Sequence, residues 1–103
     1  MKKPDISNSN KLFNKAIKII PGGSQTFSKG PSQFTNNFAP KYLKKGQGCK
    51  VWDEDNNKYI DYVMACQPLI LGYSDKDINR AVYKQLQIGS TFSLMNRLEI
   101  EVA

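Results

Sequence analysis

Cysteine and lysine are the side chains of this sequence that are the clearest candidates for chemical reactivity, because the chain contains no histidine. That absence excludes Ser-His-Asp and Cys-His catalysis and the commonest zinc ligand sets. The two cysteines, Cys49 and Cys66, are too few for a disulfide framework. Since no secretion signal precedes them, we expect free thiols in a reducing compartment, and therefore a cytoplasmic protein with no metal site.

One acidic run imitates the start of a calcium loop. Asp53, Asp55 and Asn57 have the alternate spacing of calcium ligands, but the glycine and the closing glutamate of an EF-hand are missing. Residues 53–57 are therefore predicted to form a hairpin turn.

Charge is distributed unevenly along the chain. The formal net charge of +6 divides into +9 over residues 1–52, with ten lysines and one acid, and −3 over residues 53–103, with five basic and eight acidic residues. The lysines stand singly or in pairs, and arginine, the usual reader of bases, is absent from the basic half. We therefore expect no nucleic-acid partner, although a small basic α+β module that docks on an acidic partner remains an alternative. No apolar run reaches the roughly 20 residues that span a bilayer, so no membrane association is expected.

Three helices are predicted from apolar periodicity and capping residues. The first spans Ser9–Ile20, with Ser7 or Ser9 as its cap and Pro21-Gly22-Gly23 as its end. The second begins at Ser74-Asp75-Lys76-Asp77, a capping-box variant with an acid at its fourth position, and ends at Gly89. The third begins at the capping box of Asn96-Arg97-Leu98-Glu99. Its apolar pattern has run for only about two turns at Ala103, so we expect a longer polypeptide.

Between the first two helices the sequence predicts a long loop and a small sheet. Residues 24–40 have no regular period but carry three phenylalanines, which is typical of a loop that docks on another surface. Tyr42-Leu43, Cys49–Asp53 and Lys58–Val63 are predicted strands of an antiparallel meander, with turns at 45–48 and 53–57.

The order of these segments resembles a known enzyme family. A helix that ends Ile19-Ile20-Pro21-Gly22-Gly23 is followed by a polar loop, then by the run from Gly48 to Val63, then by Pro68-Leu69-Ile70-Leu71-Gly72-Tyr73. This arrangement resembles the N-terminal region of class III aminotransferases that depend on pyridoxal 5'-phosphate (PLP), in the branch of glutamate-1-semialdehyde aminomutase.

The resemblance implies the fold, the cofactor and the partners. Residues 1–103 would be the α+β N-terminal segment of a fold-type-I transferase, part of its small domain and active-site mouth. The large PLP-binding domain, with the Schiff-base lysine, would lie beyond residue 103, so no residue here is assigned a catalytic or cofactor-binding role. The complete enzyme would be a homodimer that uses a small-molecule amino donor and a carbonyl substrate.

The resemblance also implies four substrate-binding residues. In the family's aminomutases a hydroxyl and then an arginine hold the substrate carboxylate, and Thr26 and Lys29 occupy the matching positions. Cys66 stands where those enzymes carry a tryptophan beside the cofactor, and Gln67 follows it. Lysine lacks the two-pronged fork of arginine, and a small polarizable thiol replaces a flat aromatic wall.

These departures favour an aminomutase-like aminotransferase of different specificity over the aminomutase of tetrapyrrole synthesis, which stays open as an alternative. The segment 25–34 also resembles relatives that act in surface-polysaccharide or modified-sugar metabolism.

Overall fold

The computed structural model describes residues 3–103, which form helices and a three-stranded antiparallel sheet. The helices are α1 (Ser7–Ala16), α2 (Lys76–Ile88) and α3 (Arg97–Val102), and the strands are β1 (Leu43–Gln47), β2 (Lys50–Asp53) and β3 (Lys58–Ile60). The predicted order of helix, long loop, meander and helix is therefore confirmed. Two compact units divide the chain, one up to Tyr73 and the other Ser74–Ala103.

The first hairpin of the sheet lies later in the chain than predicted. The predicted turn at 45–48 is wrong, because Lys45 to Gln47 pair with β2 as the end of β1. The connection is instead Gly48-Cys49, so Cys49 lies in a turn and not in a strand. In the sequence, Gly46 predicts a turn. In the structure it lies in β1 and lets the Tyr73 ring approach the strand closely, since a Cβ atom there would overlap that ring.

Strand β3 also ends earlier than predicted, at Ile60 and not at Val63. The amide of Asp61 still donates to the Cys49 carbonyl at 2.9 Å, but the Asp61 side chain then begins a turn. Side-chain capture of backbone amides therefore takes the chain out of the sheet.

Helix α1 is shorter than its apolar pattern, and its predicted cap is wrong. It ends at Ala16, and residues 17–20 continue only as hydrogen-bonded turns. Neither Ser7 nor Ser9 caps it, because the N-cap position falls on Ile6, whose side chain accepts no hydrogen bond. The first amides of α1 are instead satisfied from the turn between β2 and β3, as described below.

The helices of the second unit begin where predicted, but the N-cap of α2 is Asp75, one residue after Ser74, where the capping-box variant placed it. The Asp75 carboxylate caps α2 by accepting hydrogen bonds from the amides of Asp77 and Ile78, both at 3.0 Å. Gly89, with φ 109°, ends the helix as predicted. Asn96 and Glu99 form the predicted capping box at the start of α3.

Little of the chain is buried. Among residues 3–103 the buried apolar side chains are Ile6, Ala16 and Val51. Phe27 in the long loop is 79% exposed. Within the described part of the chain, no helix has the length and apolar character needed to cross a membrane.

Candidate functional site

The acidic run at 53–57 is a structural turn, as predicted. Buried Asp53 accepts hydrogen bonds through Oδ1 from the amides of Asp55 and Asn57, at 3.0 and 2.8 Å, and through Oδ2 from the Tyr59 hydroxyl at 3.0 Å. Burial and the Asp53 carboxylate raise the pKa of Tyr59 to about 12. The Asp53 carboxylate therefore organises the β2–β3 connection.

Thr26 and Lys29 share one short turn of the long loop. Phe27–Lys29 form a single 3₁₀ turn in which the Lys29 amide donates to the Thr26 carbonyl at 3.3 Å. The Thr26 hydroxyl lies 3.2 Å from the Ser28 hydroxyl, and the Ser24 hydroxyl donates to the Thr26 carbonyl at 2.8 Å. Lys29 is exposed, and its ammonium has no ion pair within residues 3–103. The loop thus presents a hydroxyl and a cation to whatever lies beside it.

Cys66 and Gln67 lie in a turn of unusual backbone geometry. Met64, Ala65, Cys66 and Gln67 have φ values of 46°, 52°, 61° and 85°, so four consecutive non-glycine residues are left-handed. The Cys66 amide donates to the Val63 carbonyl at 2.9 Å. A left-handed conformation costs about 1–2 kcal/mol for each such residue, so this turn needs support from its surroundings. We call residues 64–67 the left-handed turn.

Asp61, three residues before Met64, supports the entry to the left-handed turn. Its Oδ1 accepts hydrogen bonds from the Val63 amide at 2.8 Å and the Met64 amide at 3.2 Å. Its Oδ2 accepts a hydrogen bond from the Tyr73 hydroxyl at 2.6 Å. Both oxygens of one carboxylate therefore fix the entry to the turn.

Tyr73 is itself held to the sheet. Its amide and carbonyl form a two-way backbone bridge with Gly48, both hydrogen bonds being 2.9 Å long, and its ring lies against Gly46. The chain from Asp61 to Tyr73 is thus a loop whose two ends are both anchored to the sheet beside the first hairpin. The sheet anchors the turn that carries Cys66 and Gln67.

The hydrogen bonds of Asp61 and Tyr73 also shift the pKa values of these two side chains. Partial burial acts to raise the pKa of Asp61, but hydrogen bonds from Tyr73, Val63 and Met64 outweigh it and lower the pKa below its usual value. Burial raises the pKa of Tyr73 to about 12, and the hydrogen bond and charge of Asp61 act in the same direction. Around neutral pH the arrangement is therefore a carboxylate that accepts from a neutral phenol.

The four predicted site residues thus form two exposed pairs. Thr26 with Lys29 and Cys66 with Gln67 each occupy one turn, and no hydrogen bond among the residues that the structure describes joins the two pairs. Sequence reasoning missed Asp61 and Tyr73. An available signal was an aspartate at a strand end, since this residue type captures amides two and three positions ahead.

Lys45, Lys58 and Trp52 form a basic aromatic surface on the sheet. This surface bears on the alternative that the chain is a small basic module that docks on an acidic partner. The ammonium groups of Lys45 and Lys58 lie 4.9 and 5.7 Å from the centre of the Trp52 ring. Both distances fall within cation–π range, so these lysines are directed at Trp52. Interaction with the Trp52 ring therefore accounts for the positions of these two lysines without an acidic partner.

The described residues do not fit PLP as a cofactor site of their own. PLP enzymes attach the cofactor to a lysine amine and orient it within the protein. Here the lysines that the structure describes are exposed, apart from half-buried Lys41, whose ammonium donates to the Asn10 side chain. No group of three or more cysteines or acids in this part of the chain could hold a metal ion.

Comparison with known sequences places the chain beside PLP enzymes. It is 41% identical over 96 residues to the glutamate-1-semialdehyde 2,1-aminomutase of Fusobacterium nucleatum, a match that covers 93% of this chain and 22% of that protein. No protein-family model matches the chain. The chain spans about a fifth of the length of the curated relatives it matches.

Solved structures give the same result. An omega-transaminase from Sphaerobacter thermophilus superposes with a TM-score of 0.79 and 32% identity, over 91% of this chain and 20% of that one. The FumI protein of Sphingopyxis sp. MTA144, solved in its PLP internal aldimine form, gives 0.81 and 28%, over 92% and 22%. The α+β arrangement is therefore that of an N-terminal segment of fold-type-I transaminases.

Proposed function

We propose that this chain is part of a longer enzyme, one of the class III PLP-dependent aminotransferases and aminomutases. The chain matches the N-terminal segment of these enzymes, and in this proposal it is the part that borders the substrate. The observation that carries the proposal is the 41% identity over 93% of the chain, together with the shared fold. In this proposal the enzyme moves an amino group to or within a carbonyl substrate. It acts as a cytoplasmic homodimer, and a large domain outside these 103 residues binds PLP.

The proposed role of this segment is to select the substrate. Its two turns present a hydroxyl, an ammonium, a thiol and a carboxamide to their surroundings, and none of these groups needs to take part in bond making. Lys29 would attract an anionic group of the substrate, and Cys66 and Gln67 would shape the space around its remote end. Contacts with the part of a substrate that does not react still change the rate, because their binding energy can be used in the transition state.

Specificity is where the proposal departs from the aminomutases that the chain matches. Lysine at position 29 supplies a point charge where a guanidinium would bind both carboxylate oxygens, and Cys66 leaves more room than an aromatic side chain. We therefore propose an aminotransferase whose best carbonyl substrate is bulkier than glutamate-1-semialdehyde. A modified or nucleotide-linked keto sugar belongs to that class.

A substrate panel on the complete enzyme tests the proposal. The enzyme is expressed from its whole reading frame, loaded with PLP and assayed with glutamate-1-semialdehyde, with pyruvate and 4-aminobutyrate, and with a nucleotide-linked keto sugar and L-glutamate. We expect amino transfer with at least one pair and weak turnover of glutamate-1-semialdehyde. The isolated segment, as control, should form no stable stoichiometric PLP adduct. Absence of amino transfer from all pairs would contradict the proposed activity. A stable stoichiometric adduct on the isolated segment would contradict a PLP site that lies outside it.

A further inference from the structure

We infer that Asp61, held by the Tyr73 hydroxyl, is a positioning residue that sets substrate specificity by fixing the left-handed turn that presents Cys66 and Gln67. This inference rests on the proposed function, because it assumes that the turn borders the substrate. It adds two residues, neither of which needs to touch the substrate.

The left-handed turn cannot hold its shape unaided. Its four residues have positive φ, and none of them is glycine, so an unsupported chain would relax to right-handed or extended backbone. The backbone hydrogen bond from the Cys66 amide to the Val63 carbonyl closes the turn but does not choose its hand. The choice must come from outside the turn.

Asp61 directs the chain into this conformation. Hydrogen bonds to Oδ1 from the amides of Val63 and Met64 orient the peptide groups that lead into the turn. Such side-chain-to-backbone contacts replace the strand hydrogen bonds that end at Ile60.

Asp61 is itself fixed to the sheet. Its Oδ2 accepts the 2.6 Å hydrogen bond from Tyr73, whose backbone pairs with Gly48 and whose ring lies against Gly46. This hydrogen bond ties the Asp61 side chain to a residue that is itself paired with the sheet, so the position of the Oδ1 acceptor is well defined. Exposed side chains on a rigidly held turn can discriminate between substrates, whereas a mobile turn would spread them over many positions.

The test is steady-state kinetics on the complete PLP-loaded enzyme, with glutamate-1-semialdehyde as probe, or pyruvate with 4-aminobutyrate where the first is not turned over. Asp61→Ala is expected to raise KM about tenfold while kcat stays within about threefold and the cofactor's visible absorption band is unchanged. Asp61→Asn keeps the Oδ1 acceptor, so its KM should stay within about threefold of the parent enzyme. Asp61→Asn being as impaired as Asp61→Ala would overturn the inference, because charge and not geometry would then matter.

Asp75→Ala is the matched control. Asp75 also accepts hydrogen bonds from two amides, but at the start of α2, so its loss should lower the melting temperature without raising KM. If both alanine variants lower the melting temperature and neither raises KM, Asp61 has only a structural role and the inference fails. If Asp61→Ala does not fold, Tyr73→Phe replaces it: loss of the hydroxyl alone should raise KM about threefold, and an unchanged KM overturns the inference.

The conformation of the left-handed turn can also be measured without an activity assay. Cys66 is exposed, so the rate at which iodoacetamide alkylates it, located by peptide mass spectrometry, reports its surroundings. We expect a severalfold change in Asp61→Ala, little change in Asp61→Asn, and no change at exposed Cys49 in either variant. Equal rates at Cys66 in all three proteins would contradict a positioning role.

Gln67→Ala separates this inference from the proposed function. If Gln67→Ala raises KM and Asp61→Ala does not, the turn borders the substrate but Asp61 does not position it. If Gln67→Ala and Cys66→Ala both leave KM unchanged, the turn does not border the substrate, and the proposed role of this segment fails together with the inference.

Discussion

At the scale of single residues, Lys29 is the side chain whose role is most open to measurement. It is exposed and without an ion pair among the described residues, so its charge is available to an anionic group. We expect Lys29→Ala in the complete enzyme to lower kcat/KM for a carboxylate substrate about tenfold, equivalent to ~1.4 kcal/mol, with the cofactor spectrum intact. Lys29→Arg should retain or improve activity, since a guanidinium binds both carboxylate oxygens.

Lys44→Ala is the control for Lys29. Lys44 lies on β1, and its ammonium donates to the Asn56 side chain at 2.8 Å, so removing it tests the general effect of losing a surface lysine. Equal small effects of both substitutions on kcat/KM would show that Lys29 is only a solvated lysine.

The raised pKa of Tyr73 predicts a loss of stability in base. A folded-state pKa of about 12 against a usual value of 10.0 means that the neutral phenol stabilises the fold. This contribution is complete below about pH 10 and is lost as the pH rises towards 12. Urea unfolding of the complete enzyme at pH 8 and pH 11 should therefore show a larger drop for the parent protein than for Tyr73→Phe. A drop of the same size in both would mean that this hydrogen bond does not shift the ionisation.

At the scale of elements, the start of α1 depends on Asp55, which lies 47 and 46 positions after the two amides that it binds. The amides of Asn8 and Ser9 donate to Oδ1 and Oδ2 of Asp55 at 2.7 and 2.9 Å. Partial burial acts to raise the pKa of Asp55, but these hydrogen bonds outweigh it and lower the pKa below its usual value. The β2–β3 turn thus supplies the negative charge that a helix N-terminus favours.

Removal of this tertiary cap should loosen α1 selectively. Asp55→Ala leaves two amides of the first turn without acceptors, and we expect hydrogen exchange of the peptide 7–16 to become on the order of tenfold faster. The measurement is exchange mass spectrometry on the complete enzyme, with Glu54→Ala, a change at the neighbouring acid of the same turn, as control. Similar exchange in the two variants would refute the cap.

At the scale of the whole molecule, apolar surface is the dominant feature. Ile70, Met95 and Leu98 illustrate the range, with exposures of 90%, 90% and 39%. The three buried apolar side chains of residues 3–103 cannot offset the entropy of ordering a chain of 103 residues. We therefore expect the stability of this segment to come from apolar partners outside it.

The isolated segment should accordingly fold poorly. We expect broad, weakly cooperative thermal unfolding by circular dichroism and a tendency to associate, because exposed apolar faces seek partners. A sharp two-state transition of a monomer, shown by coincident circular dichroism and fluorescence curves, would contradict this expectation.

The sequence by itself determined the elements whose signals are local. The capping box of Asn96 and Glu99, the start of α2 and its end at Gly89 were predictable because the groups that satisfy each other stand within a few residues. The resemblance to class III aminotransferases was recognisable because it rests on the order of helix, loop and meander and not on any single residue. The substrate roles of Thr26, Lys29, Cys66 and Gln67 stay predictions.

Only the tertiary structure decided where α1 begins and how the β1–β2 connection is made. The acceptor for the first amides of α1 is Asp55, and the partner of Gly46 is the Tyr73 ring, each far away in sequence. The Asp61 carboxylate that precedes the left-handed turn likewise accepts a hydrogen bond from a tyrosine twelve residues later. Hydrogen bonds and close contacts between distant residues leave no periodic trace in the sequence, so they become visible only once the chain has folded back on itself.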